Sequence, residues 1–187
     1  MFYFRFKYYI YSSFFSLFFS SFFKRFGKKS RIIYPNLILG SRNISIGNNV
    51  YIAKGINLYC DLGKKFKIQN SKSINPEIII GNNSKIGYNN HIVSTKSVVI
   101  GDSVITANNV FISDNIHSYE DIEIPIVDQP IKQKNKVVIG NGSWLGQNSI
   151  IIGAKIGKNC VISANSLVIS DIKDYSLVSG KSAILKD

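Results

Sequence analysis

The sequence predicts an all-β prism in which short parallel strands wind around three faces. A six-residue pattern, opened each time by an aliphatic residue, runs through most of the chain from about residue 38. A period of six fits neither a helix, which repeats near 3.6 residues, nor a paired strand, which alternates with a period of two. Three faces of six residues make a coil of about eighteen, and such coils must stack to bury their apolar sides.

The hexads are clearest from Ile80, where the chain reads IGNNSK, IGYNNH and IVSTKS. They continue as IGDSVI, TANNVF and ISDNIH, return at Ile139 as IGNGSW and LGQNSI, and occur earlier as IGNNVY and IAKGIN. The opening aliphatic residue is predicted to point inward, and glycine or asparagine suits the corners. The fifth residue also points inward and must be slim, as at Val50, Ser84, Ser143, Ser149, Cys160 and Ser166.

Composition places the chain among folded proteins with a single core. It has 187 residues, of which 45% are hydrophobic and 18% charged. The formal charge is +12, and seven of the basic residues lie in residues 1–31, which contain no Asp or Glu. An anionic membrane surface suits this aromatic-rich segment better than nucleic acid, so no nucleic-acid partner is predicted. Cys60 and Cys160 are expected to be buried, reduced thiols in a cytosolic protein.

The chain divides into an aromatic and basic segment, 1–31, and a prism domain, 32–187, with a loop at 115–136. In the first segment, serines fall on one half of a helix and most Phe, Tyr and Leu residues on the other. Three interpretations are open: a helix lying in the membrane interface, a helix packed on a neighbouring subunit, or a membrane span. The sixteen uncharged residues between Lys7 and Lys24 are slightly short for a span. A secretory signal is disfavoured because no small-residue cleavage site precedes Lys24.

Two stretches interrupt the hexads. Residues 60–77 are polar and basic, and the sequence assigns them no role. Residues 115–136 form an irregular stretch of the kind that is more often functional than accidental in a compact repeat. His117, one of only two histidines, lies at its start.

The hexads resemble the left-handed parallel β-helix of the hexapeptide acyltransferases over residues 38–187. The resemblance implies the handedness, since parallel crossovers are usually right-handed. The loop is similar to the polysaccharide branch of the sugar O-acetyltransferases, which carry D-x-x-H-x-Y, then P-I and Q-P, then I-G-x-x-x-W-[IL]-G. The matching residues are Asp114, His117, Tyr119, Pro125, Ile126, Gln129, Pro130, Ile139, Gly140, Trp144, Leu145 and Gly146.

This resemblance implies that His117 is a catalytic base. A neutral imidazole can take the proton of a sugar hydroxyl near neutral pH, because it titrates near pH ~6.5. The hydroxyl oxygen then attacks a thioester carbonyl directly, and backbone N–H groups can stabilise the oxyanion. Asp114 is the nearest candidate to orient the imidazole, with Glu120 and Asp121 as alternatives.

The resemblance also implies that acetyl-CoA lies between two prisms of a homotrimer. The matching cofactor-binding positions are Trp144, Gly146, Gln147, Ser163, Ala164 and Lys181. The family ending G-x-P-A-[KR]-x-[IL] here reads GKSAILK, with Ile184 at the position of the usual basic residue, so that Lys181 and Lys186 are the candidates to replace it. Trp144 equally suits a subunit interface. Asn89, Asn90 and Tyr119 are candidate substrate-binding residues, although the asparagines also fit corner positions. His91 is interpreted as a surface residue.

The predicted function is acetyl-CoA-dependent O-acetylation of a sugar or lipid-linked glycan in capsule, exopolysaccharide or lipopolysaccharide synthesis. The protein is expected in the cytoplasm, with residues 1–26 touching the inner face of the plasma membrane. Amino-sugar N-acetyltransferase, serine acetyltransferase and a non-catalytic β-helix scaffold are the alternatives. A zinc enzyme of the carbonic-anhydrase type needs three histidines, and the chain has two, so no metal is predicted.

Overall fold

Three parallel sheets form the faces of a prism. The computed structural model describes residues 2–60, 68 and 75–180. The first face comprises β1 (Arg25–Phe26), β4 (Ile44–Ile46), β7 (Glu77–Ile80), β10 (Ser97–Ile100), β15 (Val137–Ile139) and β18 (Lys155–Ile156). The second comprises β2 (Arg31–Ile32), β5 (Tyr51–Ile52), β8 (Lys85–Ile86), β11 (Ile105–Thr106), β16 (Trp144–Leu145), β19 (Val161–Ile162) and β21 (Leu177–Val178). The third comprises β3 (Leu37–Leu39), β6 (Asn57–Cys60), β9 (His91–Ser94), β12 (Phe111–Ser113), β17 (Ile150–Ile152) and β20 (Leu167–Val168).

The chain passes from the first face to the second and the third, and each strand pairs in parallel with a strand of the next coil. The predicted all-β prism is therefore confirmed. Its first coil begins at Arg25, inside the segment that the sequence treats as separate from the prism.

The core follows the hexad prediction. The opening residues Ile46, Ile80, Ile100 and Ile139 stand in register and are fully or almost fully buried. All of the predicted slim positions are buried as well: Val50, Ser84, Ser143, Ser149, Cys160 and Ser166. Ser84 shows why a hydroxyl fits there, since its Oγ donates to Gly101 O (2.9 Å) and accepts from Val104 N (3.1 Å). Ser84 thus links one coil to the next, and Ser143 does the same, since its Oγ donates to Gly157 O (2.8 Å) and accepts from Cys160 N (2.9 Å).

Asparagines at the corners join the coils further. Asn109, Asn148 and Asn165 all have positive φ, the left-handed region that asparagine tolerates better than most residues. Their amides form a ladder, in which Asn109 Nδ2 donates to Asn148 Oδ1 (3.1 Å) and Asn148 Nδ2 donates to Asn165 Oδ1 (3.0 Å).

The helix α1 (Phe2–Phe19) and a 3₁₀ turn (Ser20–Phe22) close the N-terminal end of the prism. Phe15 and Phe23 join the core, and the ring of Tyr11 stacks on that of Tyr34 with centroids 3.8 Å apart. Ser16 Oγ donates to Ser30 O at 3.2 Å. The helix therefore packs on its own prism. In the described part of the chain, no helix combines the length and apolar character that crossing a bilayer requires.

The two sides of α1 differ: serines contribute to the side that packs on the first coil, and phenylalanines are exposed on the other side, where Ser13 is exposed as well. Ser12 is fully buried and Ser16 is partly buried against the first coil, while Phe14 and Phe18 are exposed. Small side chains let the helix lie close to the first coil, and the Ser16 hydroxyl finds backbone acceptors in Ser12 and Ser30.

Both interruptions of the hexads leave the corner between the third and first faces. Of residues 61–74, the structure describes Ile68 alone, and the rest of that predicted excursion lies outside the described residues. Ile68 forms a parallel bridge with Ile131, which belongs to the second interruption. A further 3₁₀ turn, Ser41–Asn43, lies at the same corner in an earlier coil.

Candidate active site

The loop predicted at 115–136 is a β-hairpin. Its strands β13 (Asn115–His117) and β14 (Ile131–Gln133) pair antiparallel, and a 3₁₀ turn (Ile126–Asp128) lies near its tip. Lys134 N donates to Asp114 O at 2.7 Å and closes the base of the hairpin. Ordered hydrogen bonds therefore hold the stretch that looked irregular in sequence.

Gln129 explains the Q-P element of the loop. Its side chain is buried, and Nε2 donates to Asp121 O (2.7 Å) and Ile124 O (2.8 Å). These two carbonyls lie on the outward branch of the loop, whereas Gln129 lies on the returning branch. The amide thus ties the two branches together beyond the paired strands.

His117 ends β13 and has an exposed side chain. In the register it stands opposite Ile131, and its neighbour Ile116 stands opposite Lys132. Because successive strand residues point to opposite sides, His117 and Lys132 occupy opposite faces of the hairpin. Among the described residues, no carboxylate contacts the imidazole of His117.

Asp114 is the nearest acid in sequence, but the structure does not bring its carboxylate to His117. The carboxylate is fully buried and turned towards the corner of the previous coil. Oδ1 accepts from Thr95 N (2.8 Å), Thr95 Oγ1 (3.0 Å) and Asn115 Nδ2 (2.9 Å). Oδ2 accepts from Ser94 Oγ (2.9 Å), Lys96 N (2.7 Å) and Ser97 N (2.8 Å). The expected orienting role is corrected to an anchoring role, because all six contacts fix the root of the hairpin.

The alternative acids do not orient the imidazole either. Glu120 is exposed and paired with Lys132, whose hydrogen bond lowers the pKa of the Glu120 carboxyl to about 2. Asp121 Oδ1 accepts from Glu123 N at 3.0 Å. Tyr119, a candidate for substrate binding, is exposed two residues after His117 and remains accessible.

A basic cleft of about 760 Å³ lies at the base of the hairpin. Its walls come from the hairpin and from the corner between the third and first faces in neighbouring coils. The lining residues are Lys96, Ile116, Lys132, Gln133, Lys134, Asn135, Ile152, Gly153 and Ile169. Gln133 Nε2 donates to Thr95 O at 2.8 Å and fixes one wall. Sequence reasoning missed this cleft, although the run IKQKNK places three lysines at strand spacing, and Lys132 and Lys134 line the cleft. Lys132 is paired with Glu120, and Lys96 and Lys134 add a positive charge that favours a ligand with negative charge.

The predicted cofactor-binding residues lie at a different corner from the hairpin. Trp144 is exposed on the second face, with Ile105 and Val161 beside it in register. The corner between the second and third faces holds Gly146, Gln147, Ser163 and Ala164. A Cβ at Gly146 would come within 2.5 Å of Ala164 N, so this position needs glycine. Lys181 lies outside the described residues.

The two asparagines proposed for substrate binding differ in exposure. Asn89 is an exposed corner residue with φ 54°. Asn90 is fully buried, and its Nδ2 donates to Ala107 O (2.8 Å) and Tyr88 O (3.2 Å). Asn90 therefore points into the prism at the fifth position of its hexad, where a substrate cannot reach it.

His91 is half-buried between the rings of Tyr59 and Phe111, with centroids 4.7 and 5.5 Å away. Its Nε2 is buried and has no hydrogen-bond partner among the described residues. Burial lowers the pKa of His91. Within the same ranges, no group of three or more His, Cys, Asp or Glu side chains could hold a metal ion.

Known proteins match the repeat that carries this site. A family model described as the hexapeptide repeat of succinyl-transferase matches residues 77–114 and 136–170. A probable acetyltransferase of Mycobacterium tuberculosis is 40% identical over 68 residues, which are 36% of this chain and 22% of that protein. A probable macrolide acetyltransferase of Lysinibacillus sphaericus is 42% identical over 60 residues, 32% of this chain and 33% of that protein. The chain thus matches a third or less of these curated relatives.

Solved structures match over more of the chain. An N-acyltransferase from Bacillus cereus, in complex with dTDP and coenzyme A, has a TM-score of 0.66 and 21% identity, covering 84% of this chain and 80% of that one. A galactoside acetyltransferase in complex with coenzyme A has a TM-score of 0.56 and 29% identity, covering 72% and 60%.

The chain therefore carries a hexapeptide repeat over residues 77–114 and 136–170 and shares the fold of these acyltransferase structures. The predicted left-handed parallel β-helix with a short N-terminal helix is likewise confirmed.

Proposed function

We propose that the chain is an acetyl-CoA-dependent O-acetyltransferase that modifies a sugar hydroxyl of a cell-surface polysaccharide. One observation carries the proposal: a hairpin anchored through Asp114 presents the exposed imidazole of His117. The other histidine, His91, lies between two aromatic rings and is a poor proton acceptor. The relatives named as acetyltransferases and the neighbours bound to coenzyme A support this reaction class.

The reaction needs one proton acceptor and no covalent enzyme intermediate. His117 takes the hydroxyl proton as the sugar oxygen attacks the acetyl carbonyl carbon of the thioester. The tetrahedral intermediate then collapses, the C–S bond breaks, and the imidazolium returns its proton to the sulfur of coenzyme A. The products are an acetyl ester and free coenzyme A, and His117 is neutral again. General-base assistance of this kind increases the reaction rate by roughly 10²–10⁴-fold.

Coenzyme A would be held at the corner between the second and third faces. Trp144 offers an exposed ring for the pantetheine or adenine, and backbone groups of Gly146, Gln147, Ser163 and Ala164 line the corner. The hairpin leaves a different corner of the same prism. A site that unites Trp144 with His117 therefore requires a second copy of the chain.

A homotrimer would supply that copy. Exposed apolar side chains flank the cofactor corner on both adjoining faces, with Ile105 and Trp144 on the second face and Ile150 and Leu167 on the third. Burying such side chains favours association. Light scattering would report the trimer mass, and Leu167→Glu is expected to give monomers with unchanged circular dichroism, because Leu167 is 60% exposed in the single prism.

The catalytic proposal is tested with H117A and the matched control H91F. The assay follows release of the coenzyme A thiol and acetyl ester formation on the de-O-acetylated glycan of the source cells. H117A should lower kcat by about 10²–10⁴-fold without a change in melting temperature. H91F should keep its turnover, since His91 lies away from the hairpin. Full turnover in H117A would overturn the assignment.

Transfer to an amino sugar is the second candidate. It is favoured by the likeness to the Bacillus cereus N-acyltransferase, whose structure holds a nucleotide and coenzyme A. Hydroxylamine distinguishes the two products, because it cleaves an O-acetyl ester and leaves an N-acetyl amide intact. A product resistant to hydroxylamine would replace the O-acetyl proposal with N-acetyl transfer.

The acceptor that we propose is a lipid-linked glycan at the cytoplasmic face of the membrane. The exposed aromatic side of α1 supports peripheral membrane contact through residues 1–26. The double substitution F14S/F18S changes two exposed side chains of α1 and should move the protein from the membrane fraction to the soluble fraction. The same distribution of F14S/F18S and wild type would exclude the membrane contact.

A further inference from the structure

We propose that the prism stands end-on at an anionic membrane surface and that it thereby holds the His117 hairpin at a fixed height above the lipid. The nature of the acceptor in this inference rests on the proposed acetyl transfer. The docking surface itself is argued from the helix α1, the charge of the first coils and the direction in which the coils stack.

Among the described residues of α1, the exposed side is apolar apart from Ser13, and the buried side carries Ser12. Ser12 and Phe15 face the prism, whereas Ile10, Phe14 and Phe18 are exposed. At 100° per residue the centres of the two groups lie about 130° apart around the helix. We call Ile10, Phe14, Phe18 and Phe22 the aromatic stripe. Phe14 and Phe18 are 58% and 60% exposed, and their rings stack with centroids 6.0 Å apart. A helix that leaves this face bare in water needs something to cover it.

The charge around the stripe selects an anionic lipid surface as the occupant. Residues 1–60 contain nine Lys and Arg residues and no Asp or Glu, so all 11 acidic residues of the chain lie further along it. Lys24, Arg25, Lys28 and Lys29 follow the stripe directly and are exposed. Aromatic and basic residues together favour the interface of an anionic membrane. If the N-terminal ends of two prisms met face to face, their positive charges would repel each other, which disfavours self-association through this surface.

The number of stacked coils sets the distance between the membrane contact and the base of the hairpin. The hairpin starts directly after β12, and three strand spacings separate β12 from β3 in the first coil. At about 4.8 Å per spacing the separation is about 14 Å. The helix beneath the first coil adds about 10 Å, its own diameter. The hairpin base therefore lies about 25 Å above the aromatic stripe.

This height defines the class of acceptor. An interfacial helix enters the membrane by only about 5–10 Å, so the hairpin stays clear of the headgroups. A hydroxyl on the sugar nearest the lipid would lie below the site. The geometry therefore favours a membrane-attached oligosaccharide whose reacting sugar stands several units out from the lipid.

Vesicle binding tests the docking surface. The full chain is sedimented with vesicles of phosphatidylcholine alone and of phosphatidylcholine with phosphatidylglycerol. The wild type should bind the anionic vesicles, and F14S/F18S should bind them at least tenfold more weakly with an unchanged melting temperature. The control Y175S removes an aromatic ring that is 67% exposed in the last coil and should bind like the wild type. Equal binding by F14S/F18S and wild type, or no binding by the wild type, would overturn the proposal.

Orientation is tested with single added cysteines, because the native Cys60 and Cys160 are buried. A fluorophore at S13C, D121C or Y175C reports how close α1, the hairpin or the last coil, respectively, lies to the lipid. Lipid-attached quencher should quench the S13C label strongly and the other two weakly. Equal quenching at all three positions would mean side-on binding and would refute the height argument. Neither measurement involves acetyl transfer, so this inference and the catalytic proposal can fail separately.

Discussion

Asp114 Oδ2 lies 2.7 Å from the backbone nitrogen of Lys96 and accepts its hydrogen bond, although the residues are 18 positions apart. The corner at residues 94–97 thus wraps around the buried carboxylate and supplies most of its donors. One coil thereby fixes the point from which the next coil releases the hairpin. In the D-x-x-H motif, Asp114 anchors the root of the hairpin, and the backbone between the two residues thereby positions the exposed imidazole of His117.

Replacing Asp114 should therefore reduce stability and activity together. D114N keeps the shape but sets an NH₂ group against N–H donors. Hydrogen bonds to charged groups contribute about 1.5–3 kcal/mol each, and a loss of at least that size in the free energy of unfolding is expected. Urea denaturation measures it, and the turnover of the remaining folded protein should fall because the hairpin root is displaced.

The control for this change is D128N, which removes an exposed acid from the same loop. It should leave the free energy of unfolding within about 0.5 kcal/mol of the wild type. If D114N lost turnover at full stability, Asp114 would act on His117 electrostatically and the anchoring role would be wrong.

The fold could be predicted because each coil repeats one simple constraint. The inward positions of a narrow prism accept only aliphatic or slim residues. The inward position of Ile80 and Ser84 could therefore be predicted from the hexad alone, without knowing which residues they contact. The same rule bears on Asn90, which holds the fifth position of IGYNNH and is fully buried. The family resemblance suggested substrate binding there, and the hexad position was the better guide.

The site was less predictable because its contacts join different coils. Asp114 meets Ser94, twenty positions earlier, and only the register of β9 with β12 places them together. The basic cleft likewise combines Lys96 with Lys134, which belong to different corner segments. The buried side of α1 depends on the first coil as its partner, so helical periodicity in the sequence showed two sides but not which one faces the prism.

Gly153 allows the hairpin to return to the prism, and an alanine there should be costly. Its φ is +57°, and a Cβ would come within 2.7 Å of Lys134 Cβ. The left-handed conformation alone costs a residue with a Cβ about 1–2 kcal/mol, and the contact with Lys134 adds to it. G153A should lower the free energy of unfolding by at least that amount in chemical denaturation.

Gly180 provides the comparison for Gly153. A Cβ at Gly180 would meet no atom closer than 3.6 Å, so G180A should match the wild type. Equal stability of G153A and G180A would show that the base of the hairpin can shift freely.

Gln129 should control the order of the hairpin tip. Q129A removes the donor that serves Asp121 O and Ile124 O. Lost hydrogen bonds of this kind cost about 0.5–1.5 kcal/mol each, and the loss falls on the tip while the paired strands remain. Limited proteolysis should cut Q129A faster within residues 119–130 than the wild type. V127A, which trims a side chain 81% exposed in the same loop, should be cut at the wild-type rate.

His91 should make the stability of the protein depend on pH. Burial between Tyr59 and Phe111 lowers the pKa of His91 in the folded state below its ordinary value. The unfolded chain therefore binds a proton more readily, and the free energy of unfolding falls as pH drops below about 6.5. Above that pH both states hold a neutral imidazole, and the contribution vanishes.

H91F tests this directly, since a phenyl ring continues the aromatic column and cannot be protonated. Urea denaturation between pH 7.5 and 5.5, at one protein concentration, should give H91F a smaller loss of stability than the wild type. Carboxylates contribute equally to both proteins, so the difference isolates His91. H117Q, which alters the exposed histidine, should keep the slope that His91 imposes. Identical slopes for H91F and wild type would show that the His91 imidazole accepts a proton in the folded prism without cost.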